Sequence, residues 1–213
     1  HESLFRHGLL AASLAACVGL PAGPAIAADE LNPQADEVLR SMSTFLAGTK
    51  AFSVSADIGN EVLTTDGQKL QLNGHAGVLV ERPSRFYVTR QGRFADAALY
   101  YDGAKLTLHG KTLNAYVQKD VPGTIDDAIR AVERGTGLSM PGADLLLSDP
   151  YAALSSGATS SGYYGKAYVG GVECHHLAFR TPEVDWQIWV KAGNEPLPMK
   201  YVITTKWTTG APQ

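Results

Sequence analysis

The densest run of chemically capable side chains is Glu173-Cys174-His175-His176, a carboxylate, a thiol and two imidazoles in consecutive positions. These are the donor types of a zinc site. The run lies in a strand pattern, where alternate residues share a face. Cys174 therefore groups with His176, and Glu173 with His175. Neither pair supplies the three or four ligands that zinc requires. His75 or His109 could complete a set only by arriving from elsewhere in the chain. The plainer reading is a buried Cys beside a hydrogen-bonded His, with no metal. Asp126-Asp127 is the second candidate. Adjacent residues on a helix diverge by about 100°, so these two carboxylates cannot work as a paired acid and base. At a helix start they instead meet the positive end of the dipole. There is no G-x-S-x-G, P-loop or dinucleotide fingerprint. The expectation is a protein that is not an enzyme and carries no cofactor.

The scaffold that holds these residues reads as β-rich. Residues 86–117 alternate apolar and polar side chains between turn signals, as an antiparallel meander does. Asp102-Gly103 is a two-residue hairpin signal, and His109-Gly110-Lys111 is read as the next turn. Phe52, Val54, Ala56 and Ile58 alternate in one strand, and residues 69–80 in a longer one. Asn32-Pro33 caps a helix over 33–47, and Thr124 caps another over 124–136. Short helices follow at 143–147 and after Asp149-Pro150, and 155–162 reads as a Ser/Gly-rich loop. Strands resume over 163–169, 172–179, 184–190 and 197–205. Both long helices are expected on one concave sheet face, because short helices cannot stand alone.

The chain has 213 residues, a formal net charge of -3 and a pI near 6.1, which gives no nucleic-acid footprint. Residues 1–27 read as a secretory signal peptide: Arg6, a short apolar run, then Ala25-Ile26-Ala27 as an A-x-A cleavage signal. That run is too short for a transmembrane segment. Leu14-Ala15-Ala16-Cys17 also fits a lipobox, with Cys17 as a lipidated first residue, but the apolar continuation and the A-x-A signal favour simple secretion. Residues 28–213 then form a single secreted domain. Trp207 before a turn anticipates another strand, and so a domain truncated at its C-terminus.

The sheet presents an apolar face that includes Phe52, Val54, Leu72, Val78, Phe86, Val88, Leu106 and Leu108. Ile129, Val132, Leu145 and Leu146 face it from the helical insert. Short helices cover a curved sheet incompletely, which leaves an apolar cavity. A fully packed core is the other reading. Gly135, Gly137 and Gly142 flank the insert and would let it move.

Several stretches carry a resemblance. They are R-P-S-R-F at 82–86, Y-Y-D-G-A-K-L-T-L at 100–108, N-A-Y at 114–116, A-D-L-L-L-S-D-P-Y-A-A-L at 143–154, C-H-H-L-A-F at 174–179 and D-W-Q-I-W-V at 185–190. The chain resembles a bacterial family of predicted periplasmic proteins of unknown function. More remotely it is similar to the lipoprotein-localisation (LolA/LolB-like) superfamily. That resemblance implies an α+β fold: a curved antiparallel sheet forming an unclosed β-barrel covered by short helices. It implies a carrier or binder of a lipid, an acyl chain or a lipoprotein, or an envelope-stress regulator that holds a partner protein on the same fold.

Overall fold

The computed structural model describes residues 31–93, 96–136 and 140–206. The signal segment 1–27 with Cys17, and Trp207 with the residues after it, lie outside them. Asn32 accepts the Ala35 N–H at 3.0 Å and starts helix α1 (Pro33–Gly48). Six strands then run as an uninterrupted antiparallel meander: β1 (Ala51–Leu63), β2 (Lys69–Glu81), β3 (Arg85–Gly92), β4 (Ala97–Tyr101), β5 (Lys105–Gly110) and β6 (Ala115–Asp120). At the β4–β5 turn the Asp102 carboxylate accepts the N–H groups of Ala104 and Lys105 at 2.9 and 2.7 Å. Gly103 takes a φ of 93° there, which a side chain would disfavour. The next turn is not at 109–111. β5 continues through Gly110, and the chain reverses at 111–114, where Asn114 adopts a φ of 45°. Asn tolerates that left-handed region better than most residues, and this moves the turn.

Helix α2 (Ile125–Thr136) follows, then a short 3-10 turn (Ala143–Leu146) and helix α3 (Pro150–Ser155). Asp149 caps α3 by accepting the Ala152 N–H at 2.9 Å. A second antiparallel sheet holds β7 (Ser160–Val169), β8 (Val172–Arg180), β9 (Val184–Lys191) and β10 (Pro198–Thr205), in the order β10-β9-β8-β7. β7 starts inside the stretch read as a loop. Ser160 and Ser161 are buried, and Ser161 Oγ accepts the Asn32 N–H at 2.8 Å, so the start of α1 pins the strand.

The strands thus divide into two sheets with a core each. α2 packs with Val80, Phe86, Tyr101 and Leu106 of the first sheet. α1 packs with α3 and with Leu177, Phe179, Trp186, Ile188 and Val190 of the second. This corrects the expectation that both long helices lie on one sheet face. An apolar stripe fixes which side of a helix is buried, and nothing in it specifies which sheet receives that side. The 3-10 turn touches α1, α2 and α3 and joins the halves. β6 and β7 are both edge strands, so the curved sheets do not close into a barrel.

Candidate apolar binding face

Directly paired residues in an antiparallel sheet project from the same face. The register therefore lays out the face under α2 as rows across the strands. Phe52, Val80, Phe86, Tyr101 and Leu106 form the first row. Ile125, Ala128 and Ile129 of α2 join them in a core, with Val132 and Leu146 packed against it. The Tyr101 hydroxyl donates to Val121 O at 2.9 Å, and the Ile125 N–H donates to Pro83 O at 2.9 Å, so the helix start is tied to the sheet.

The second row is Val54, Val78, Val88, Leu99, Leu108 and Val117, one apolar residue from every strand. Only its middle is covered. Val78, Val88 and Leu99 are half-buried against the α2 core, while Val54 is 44% exposed, Leu108 43% and Val117 70%. The third row is small apart from Arg90 on β3: Ala56, Ala76, Ala97, Gly110 and Ala115 complete it. Beyond it, Ile58 faces Gly74 and Gly92, and Leu72 is half-buried on the far reach of the β1–β2 hairpin. Small residues beside an apolar row make a trough, open at the end that α2 does not reach.

Of the twelve residues read as cavity lining, Phe86, Leu106 and Ile129 are buried in the α2 core. Phe52, Val78, Val88, Val132 and Leu146 pack against it from partly exposed positions. Val54 and Leu108 are on the open trough rather than within an enclosed space. Leu145 requires correction. It packs against the α1 core, whereas Ala143, Leu146 and Leu147 of the same turn meet the α2 core. Leu99 and Val117 also belong to the trough; Val117 alternates with polar neighbours as Leu108 does, whereas Leu99 lies in the run Ala97-Ala98-Leu99-Tyr100-Tyr101, which shows no such alternation.

The polar candidates are engaged elsewhere. Cys174 is fully buried, burial pushes its thiol up, and its S–H donates to Val172 O at 3.4 Å. His176 donates from Nε2 to Gln187 Oε1 at 2.9 Å and stacks on Trp189 at 4.2 Å. His175 Nδ1 lies 2.9 Å from the Tyr163 hydroxyl, and Glu173 accepts from Lys166 at 2.6 Å. His75 is exposed, 3.0 Å from Asp57. Asp126 accepts the Ser148 N–H and hydroxyl at 2.9 and 2.7 Å. Among the described residues no three metal-ligating side chains converge, and no helix is long and apolar enough to cross a membrane. Of two shallow concavities, one of about 580 Å³ is bordered by Ser53, Leu79 and Tyr87 together with Phe52, Val80 and Phe86 of the first row, and one of about 440 Å³ by Tyr164, His176, Arg180 and Gln187 of β7–β9.

Open, curved antiparallel sheets, one with an apolar face half-covered by a single helix, define the class as an unclosed half-barrel with a helical cover. The chain itself belongs to the family described as predicted periplasmic protein (DUF2092), whose model matches residues 35–213. No curated protein matches it. Among solved structures it is similar to the Mycobacterium tuberculosis lipoprotein LppX, at 11% identity over 82% of this chain and 90% of that one, with a TM-score of 0.44. It is also similar to LprF from Mycobacterium bovis, at 11% identity over 84% and 89% of the two chains, with a TM-score of 0.41. A putative outer membrane lipoprotein-sorting protein domain from Vibrio parahaemolyticus aligns at 8% identity over 80% and 72%, with a TM-score of 0.37.

Proposed function

We propose that this periplasmic protein binds or carries an apolar ligand, a lipid or an acyl chain, on the trough of the first sheet. The observation that carries the reading is the second row. It runs across all six strands as Val54, Val78, Val88, Leu99, Leu108 and Val117, and α2 leaves both ends open. Exposed apolar surface at the two ends of a row costs free energy in water and is kept where something covers it. The polar groups catalysis would use are spent on hydrogen bonds within the fold, which favours a carrier over a catalyst.

A second reading has its own support. β6 pairs with β5 on one side only among the described residues and is exposed along its whole length, with Tyr116 and Val117 projecting into solvent. An open edge can accept a strand from a partner, so a lipoprotein or another envelope protein could dock there. Native mass spectrometry of protein purified from its host periplasm separates the two. Co-purified lipid released on unfolding is the expected result. A stoichiometric protein partner with no lipid would favour the edge instead. A bare chain that also fails to bind Nile red, a neutral apolar dye, would overturn the carrier reading.

A further inference from the structure

Arg82 follows Val78 and Val80 at strand spacing, and its N–H donates to Lys50 O at 2.7 Å, so the β1–β2 ladder extends to it. Its guanidinium lies 5.9 Å from the centre of the Phe52 ring, on the same face of the sheet. Nη1 donates to Leu146 O at 2.7 Å. Nε and Nη2 are buried and have no hydrogen-bond partner. Those two donors share one edge of the guanidinium, the edge that grips a carboxylate or phosphate through two parallel hydrogen bonds. A buried donor without an acceptor is costly, and here two lie side by side. Asp126 is the acid that acts on Arg82 through space, yet its oxygens already accept from Ser148.

Arg82 stands at the closed end of a line of side chains along the edge strand β1. Phe52, Val54, Ala56 and Ile58 continue from it on that face, half-buried or exposed. An alkyl chain laid along β1 would bring its head group up to Arg82, and the two buried donors would have to be uncovered to receive it.

We propose that Arg82 receives the oxyanion head, a carboxylate or a phosphate monoester, of a single-chain amphiphile whose tail lies along β1. This inference rests on the reading of the trough as an apolar-ligand site, and the test separates the two. Nile red is displaced from the wild-type protein by palmitate, hexadecyl phosphate, hexadecanol or inorganic phosphate. Palmitate and hexadecyl phosphate should compete roughly ten- to a hundredfold better than hexadecanol, the range that charge-assisted hydrogen bonds supply. Inorganic phosphate alone should not displace the dye. Arg82→Met should abolish the preference of palmitate and hexadecyl phosphate over hexadecanol. Arg82→Lys, which keeps the charge and loses the fork, should retain a small part of it. Equal affinity of wild type for palmitate and hexadecanol overturns the role of Arg82 and leaves the apolar site standing, whether or not either variant folds. A full preference surviving in Arg82→Lys or Arg82→Met also overturns it. Inorganic phosphate competing as well as hexadecyl phosphate would mean a free-oxyanion site and would overturn the amphiphile. No binding of dye or of any lipid overturns both readings.

Discussion

Leu106 and Leu108 are two positions apart on one strand, share a face, and meet different surroundings. Leu106 is buried in the α2 core, whereas Leu108 is 43% exposed at the end of the trough. Replacing each by Ser should therefore give opposite signatures. Leu106→Ser leaves a cavity and a buried hydroxyl and should cost ~3 kcal/mol or more in urea melts. Leu108→Ser should cost about 1 kcal/mol or less, because much of its surface is already wet, and should weaken Nile red severalfold. A core-sized cost at Leu108 with unchanged dye affinity would make the row ordinary core. Alternation in the sequence assigns both leucines to one face, and that much was legible. It says nothing about where a helix stops covering that face, so the trough could not be separated from the core. Arg82 was equally opaque: its place beside Phe52 depends on the β1–β2 register, and its unused donors on where Leu146 O falls.

At the scale of elements, α2 starts with a reciprocal cap. The Thr124 N–H and hydroxyl donate to Asp127 at 2.8 and 2.9 Å, and the Asp127 N–H donates back to Thr124 Oγ1 at 3.4 Å. The Thr124 backbone bond, then Arg130, then the Thr124 hydroxyl hold the Asp127 carboxyl down at about 2. A carboxyl lowered on folding stabilises the fold above its unfolded value near 3.8, and that contribution fades as pH falls through about 2. Asp127→Asn should lower stability at pH 6 and flatten the loss between pH 4 and pH 2. Thermal melts across that range, read by circular dichroism, check it. An unchanged slope would mean other carboxylates dominate. The capped helix starts, most of the strands and the Asp102-Gly103 turn were readable because each has a local cause, while the turn read at 109–111 and the start of β7 at Ser160 were not. The address of α1 was not, because Ala35, Leu39, Met42 and Leu46 would suit either sheet, and contact with Leu177 and Ile188 decides it.

For the whole molecule, the division into two cores governs how damage spreads. Ile129 belongs to one core and Ile188 to the other. Each Ile→Ala substitution should cost ~2–4 kcal/mol. The double mutant should lose the sum within about 0.5 kcal/mol, as sites without shared partners do. A clear departure from additivity in denaturant melts would show that the 3-10 turn couples the halves tightly. The placement of α1 also bears on how the chain matures. Polypeptides emerge N-terminus first. Each strand from β2 to β6 pairs with the strand just before it, so that sheet can assemble as it appears. α1 precedes them all, yet its partners on β8 and β9 come more than 120 residues later, beyond residue 171. The newborn chain therefore holds a greasy helix in waiting through most of its synthesis and export. Until the last strands arrive, that helix is the part most in need of a chaperone's shelter.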